Sequence, residues 1–270
     1  MVLGVDVSRW NTKVDWKALK AQGVELAFIK ATQGVEIVDP LLKKHVDGAG
    51  EAGMIIGVFH WDDPNHPAAR QRDFFLEKTR DIPYKLVAID QEQEWKLWSE
   101  WQAKQITQFF DPNALGVHCQ AMDDAFNHGV KAPVLIYTRQ TWVLSYTKGM
   151  TTWLANRNSP LWLALYPKKQ AVPTIAEFPW SKHWPVNARN LKIWQFGNGS
   201  WKLPGIKEAL DLDLWNGTLE ELKAFCGESQ EAPTPSQIPA YPAGYLGRVE
   251  KVEDQLKTLI TEARAHGWKV

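Results

Sequence analysis

The stretch Leu86-Val87-Ala88-Ile89-Asp90-Gln91-Glu92 sets the problem. Four apolar residues in a row predict a strand buried on both faces, because a strand with one wet face alternates apolar and polar side chains. A buried strand that ends in carboxylates needs somewhere to put those charges. In a parallel sheet closed into a barrel that place is the mouth at the carboxyl ends of the strands, where functional groups collect. Asp90 and Glu92 lie two residues apart, so strand periodicity points both to one side, with Cα atoms roughly 6.5 Å apart. Crowded there, two carboxylates push their pKa values apart, leaving one protonated and one ionised.

Working outward, short apolar runs of the same kind predict strands over 3–7, 26–30, 55–60, 134–137, 161–165, 191–195 and 209–212. Helix-like segments lie between them over 15–22, 39–53, 67–80, 100–129, 139–146 and 219–225. The long segment is broken at Asp111-Pro112-Asn113, which predicts two helices. Eight strands alternating with helices predict an α/β fold, a TIM-like (β/α) barrel whose later connections are short and irregular. The barrel is expected to occupy residues 1–227. A Pro-rich linker follows over 228–244. Over 245–270, Val249, Val252, Leu256, Leu259 and Ala263 mark one amphipathic helix. That helix docks on the barrel, self-associates or engages another protein.

Composition narrows the function. Lys+Arg and Asp+Glu are 31 each, so no bulk basic field invites nucleic acid. The start MVLGVDVSRW has no basic and apolar signal-peptide pattern, and no apolar run approaches the roughly 18 residues of a membrane span. Two cysteines, Cys119 and Cys226, form neither a disulfide framework nor a metal motif, and His60 and His66 lack a third ligand at metal spacing. The 15 tryptophans supply either a Trp-rich core or a groove of flat apolar faces suited to sugar rings. Trp95, Trp98 and Trp101 leave that choice open between packing and subsite. Asp62 and Asp63 either line the groove or sit in a solvated loop.

Two more strand-end carboxylates strengthen the sugar reading. Asp6 follows the first apolar run in GVDVSRWN, and Asp211 and Asp213 lie in the last, ALDLDLWNG. First and last strands of a closed barrel are neighbours, so Asp6 and Asp211 are expected to meet at one mouth. A pair of carboxylates flanking a glycosidic bond, one giving a proton and one handling the oxocarbenium-like charge, cleaves that bond.

These motifs, with VDW (14–16), FIKATQG (28–34), GVFHW (57–61), LIYT (135–138), LWLALY (161–166) and IWQF (193–196), run in order along about 225 residues. Together they resemble the lysozymes of glycoside hydrolase family 25. The resemblance implies cleavage of the β-1,4 bond after N-acetylmuramic acid in bacterial peptidoglycan, with no metal or cofactor. It implies Glu92 as general acid, with a raised pKa, and Asp90 as the neighbour that stabilises positive charge or orients the N-acetyl group. Asp6 and Asp211 become the flanking aspartates. Phe59, His60, Trp61, Tyr137, Trp162, Tyr166, Trp194 and Gln195 become the substrate-binding set. Three positions depart from the family pattern: Gln91 replaces an aliphatic residue, Phe59 replaces a tyrosine, and Asp213 replaces an asparagine. No presumed catalytic carboxylate is lost. A catalytically silent glycan-binding or structural relative, or a chitin hydrolase with the same site, are the competing functions. The missing signal pattern fits an endolysin released through a membrane lesion, or a trimmed secreted enzyme.

Overall fold

The computed structural model describes residues 1–92, 111–168, 171–199 and 202–227. The linker and helix expected over 228–270, Trp95, Trp98 and Trp101, and the 100–110 helix segment lie outside the described residues. The strands are β1 (Val2–Val7), β2 (Val24–Gln33), β3 (Ile37–Val38), β4 (Ile55–Trp61), β5 (Leu86–Asp90), β6 (Val134–Thr138), β7 (Leu161–Ala164), β8 (Leu191–Asn198) and β9 (Asp211–Trp215). Eight of them close a ring in the order β1-β2-β4-β5-β6-β7-β8-β9, with β9 returning to β1. The two-residue β3 is an antiparallel spur on β2 outside that ring. The helices are α1 (Trp16–Ala21), α2 (Leu42–Glu51), α3 (Ala68–Lys78), α4 (Pro112–Gly129), α5 (Gln140–Tyr146), α6 (Met150–Arg157) and α7 (Leu219–Phe225).

The expected α/β barrel is present, with one difference of direction. β9 runs antiparallel to both β8 and β1, whereas the other ring pairs are parallel. The last strand also begins later than expected, at Asp211 rather than Ala209. Helix α6 and the β3 spur add elements that the apolar pattern did not mark. The predicted break at 111–113 is a helix start: the Asp111 side chain caps α4 by accepting from the Asn113 and Ala114 amides at 2.8 and 3.1 Å. Pro112 occupies the first turn, where its missing N–H costs nothing.

Strand alternation sorts the apolar residues into two cores. On β5, Leu86 and Ala88 face into the ring, while Val87 and Ile89 face the helices. Inside the ring Trp162 is the central ring system. Phe28 lies against it at 4.4 Å between centroids, Tyr137 at 4.8 Å and Phe59 at 6.3 Å. Burying one such indole is worth about 4–6 kcal/mol of transfer free energy. Gly57 makes room for the cluster, since a Cβ there would come within 2.5 Å of the Phe28 ring. At the opposite end from the mouth, Leu222 of α7 packs with Val2 and Trp215, and the rings of Trp215 and Phe225 sit 5.3 Å apart. That end of the barrel is plugged by apolar side chains.

Candidate active site

The mouth opens into a cleft of about 450 Å³. Asp6, Asp90, Glu92 and Asp211 all line it, together with Phe59, Trp61, Tyr137, Trp162, Tyr166 and Gln195. The backbone at the end of β5 is tied on both sides. The Asp90 carbonyl accepts from the Asp62 amide at 3.0 Å, and the Gln91 amide donates to the Tyr137 carbonyl at 2.9 Å. Thr138 adds its hydroxyl to the Gln91 carbonyl at 2.8 Å. Gln91 points away from the cleft, and its amide donates to the Cys119 carbonyl of α4. Asp90 and Glu92 therefore project from a fixed stem.

Asp6 and Asp211 are direct partners in the β1–β9 register. Sequence reading put Asp211 at the end of a strand. It is the first residue of β9, and it reaches the mouth because that strand runs backwards. Gln195 organises this side of the cleft. Its Nε2 donates to Asp6 at 2.7 Å, and its Oε1 accepts from the Tyr137 and Tyr166 hydroxyls at 2.9 and 2.7 Å.

Burial and crowding set the electrostatics. Asp90 is pushed well above the usual carboxylate range, first by burial and then by the charge of Glu92, against the pull of Lys30 and Arg139. Asp6 is also raised, by burial and then by Asp211 and Asp213. Asp211 rises to about 6, through burial and the charge of Glu92. Glu92 forms an ion pair with Arg139, Oε2 to Nη2 at 2.7 Å. Asp90 Oδ1 is buried with no hydrogen-bond partner among the described residues.

Two of the expected substrate residues lie elsewhere. His60 faces the helix layer, with Nδ1 2.7 Å from the Thr32 hydroxyl and Nε2 3.0 Å from Gln71 Oε1. Burial lowers its pKa to about 4, so the ring is neutral, accepting from Thr32 and donating to Gln71. Trp194 also faces outward, donating to the Leu165 carbonyl at 2.6 Å and packing against Phe178. The reason is alternation: Phe59 and Trp61 point into the ring, so His60 between them cannot, and Trp194 stands between Ile193 and Gln195. Asp62 is likewise buried among Gln71 and His118 rather than lining the cleft. Among the described residues no group of three or more His, Cys, Asp or Glu side chains is arranged to hold a metal ion.

The cleft also contains residues that the sequence reading passed over. Lys30 lies over the Trp61 ring at 4.3 Å and donates to Gln33 at 2.9 Å. Burial lowers its pKa, opposed by Asp90 and Asp39. Trp10 stands at the rim, 77% exposed, with the Arg9 guanidinium over its ring at 4.9 Å. Arg139 is the third. Lys30 and Arg139 were within reach of the alternation rule, because each lies two residues beyond an inward-facing side chain, Phe28 and Tyr137.

A closed barrel with crowded carboxylates and aromatic faces at its carboxyl-end mouth defines a glycoside hydrolase. The chain belongs to glycosyl hydrolases family 25, whose family model matches residues 5–206. It is 26% identical over 239 residues to the uncharacterized protein YegX of Escherichia coli strain K12, covering 85% of this chain and 75% of that one. Lysozyme M1 of Streptomyces globisporus is 24% identical over 245 residues, covering 84% and 72%. The solved muramidase from Trichobolus zukalii superposes with a TM-score of 0.64 at 23% identity, covering 85% of this chain and all of that one, and so shares the fold.

Proposed function

We propose that this chain is a muramidase that hydrolyses the β-1,4 bond between N-acetylmuramic acid and N-acetylglucosamine in bacterial peptidoglycan. The observation that carries this reading is the convergence of Asp6, Asp90, Glu92 and Asp211 on one aromatic-lined cleft. Similarity to Lysozyme M1 and to the N,O-diacetylmuramidase of Arthroderma benhamiae supports the substrate class.

In this reading Glu92 protonates the leaving glycosidic oxygen. Asp90, raised by burial and by the charge of Glu92, stands beside it. Asp90 Oδ1 has no protein donor among the described residues, which suits it to accept from the N-acetyl N–H of the substrate. Asp6 and Asp211 hold the field that favours positive charge on the ring and accept from sugar hydroxyls. Tyr137, Tyr166 and Gln195 fix Asp6, while Phe59, Trp61 and Trp162 offer apolar surface to pyranose C–H faces. The site of action is the cell wall. Self-association through the helix expected from sequence over 245–270 would give a dimer in light scattering of the full chain, and a monomer removes it.

Mass spectrometry of purified peptidoglycan digested by wild type and by Glu92→Gln tests the proposal. New muropeptides with reducing muramic-acid ends, absent with the variant, support it. Wall binding without cleavage by the wild type supports the glycan-binding alternative and overturns it.

A further inference from the structure

Asp213 has no part in the chemistry above, yet it is fully buried inside the ring, two residues along β9 from Asp211. β1 leaves a slot for it at Gly4, where a Cβ would come within 3.2 Å of the Asp213 Cβ. Its Oδ1 accepts from the Trp162 indole N–H at 2.8 Å. Its Oδ2 meets no donor among the described residues. The groups that face it are Asp6 from β1, Asp211 from its own strand, Trp162 from β7 and Gln195, its direct register partner on β8. Farther out the cleft carries Asp90, Glu92, Tyr137, Tyr166, Lys30 and Arg139. Among the described residues no Lys, Arg or His forms an ion pair with Asp6, Asp211 or Asp213.

A buried carboxylate with one oxygen lacking a donor and another carboxylate beside it is in a poor state as an anion. A carboxylic O–H removes both faults, because the oxygen becomes the donor and its neighbour the acceptor. We propose that Asp213 Oδ2 and the Asp6 carboxyl share one proton in a hydrogen bond between them, making Asp213 a positioning residue that holds Asp6 from below while Gln195 holds it from the side. Both carboxyls are raised, as a shared proton requires: Asp213 by burial and then the Asp211 charge, against the Trp162 and Asp6 hydrogen bonds, and Asp6 by burial and then by Asp211 and Asp213. The proton stays within the Asp213–Asp6 hydrogen bond and is not passed to substrate. The shared proton stands on the burial of Asp213, its unpartnered Oδ2 and the Asp6 carboxyl on the neighbouring strand, and the positioning role rests on the muramidase reading.

The test compares wild type, Asp213→Asn and Asp213→Leu by thermal unfolding from pH 4 to pH 8 and by kcat/KM on solubilised peptidoglycan over the same range. Asn keeps both hydrogen bonds without a proton to lose, because its oxygen accepts from Trp162 and its amide donates to Asp6. A carboxyl raised in the folded state stabilises most at low pH and loses that contribution as pH rises through its folded value. The wild-type Tm is therefore expected to fall relative to D213N as pH rises. The alkaline limb of kcat/KM is expected to move upward by about one pH unit or more in D213N. D213L is expected to lose about tenfold or more in kcat/KM at pH 5, most of which D213N retains. Parallel Tm curves for wild type and D213N would overturn the protonation. Equal kcat/KM in folded D213L and wild type, or a folded D213N as inactive as D213L, would overturn the positioning role. A wild type without hydrolysis defeats the muramidase reading and with it the positioning role, and the Tm comparison still decides the proton.

Discussion

This barrel carries two polar clusters, one facing in and one facing out, and they follow opposite rules. Outward, Thr32, His60, Gln71, Asp62 and His118 form a chain in which donors meet acceptors. Gln71 alone accepts from His60 and the Asp63 amide and donates to Asp62. His118 lies 2.9 Å from Asp62; burial lowers its pKa, but the Asp62 hydrogen bond and charge outweigh that and raise it. Inward, like charges crowd together, and Asp90 Oδ1 and Asp213 Oδ2 are left without donors among the described residues. A fold keeps buried polar groups cheaply when they satisfy one another. It keeps groups in deficit when something other than protein is to complete them, or when a proton does.

Glu92→Gln should break the inward cluster hardest. Its kcat is expected to fall about 10²–10⁴-fold with the thermal transition intact, read by release of reducing ends. Gln195→Leu removes the hub that holds Asp6 and both tyrosine hydroxyls, and each orphaned buried group costs about 1–3 kcal/mol. Activity and Tm should fall together there, by roughly tenfold or more and by several degrees. Gln71→Leu probes the outward cluster. It should lower stability by about 2–4 kcal/mol in denaturant unfolding while kcat/KM stays within about threefold of wild type. Loss of activity at constant stability in Q71L would erase the contrast between the two faces.

Acidity sharpens the same contrast. Asp211 titrates near 6 in the folded protein, against about 3.9 for a free aspartate. A raised folded value means that its stabilisation is complete below the free value and lost as pH climbs through about 6. Asp211→Asn should remove that part of the decline in Tm between pH 4 and pH 7. The smallest effect belongs to the rim. Trp10→Ala should raise KM severalfold, about 1 kcal/mol of contact surface, with little change in kcat.

The order of strands, the break before α4 and the carboxylates that meet at the mouth were all readable from the chain, because burial and turn chemistry write directly into residue order. Direction did not write itself so. An apolar run such as Leu210–Leu214 looks the same for a parallel or an antiparallel neighbour, so β9 was expected to end at the mouth and instead begins there. Side-chain facing was readable but unevenly used. Counting by two from Ala88, Phe28 or Ile193 places Asp90, Lys30 and Gln195 inward and would have sent His60 and Trp194 outward. Trp10 lies beyond any strand, where that count gives no guidance.

The reversed closing strand also fixes where the molecule can be held. Since β9 runs away from the cleft, the chain passes from Trp215 into α7 at the plugged end, against Val2. A bead, dye or surface attached through a cysteine introduced on the solvent side of α7 would thus grip the barrel by its base. The cleft would face outward, so an immobilised enzyme should meet insoluble wall fragments with its working end first.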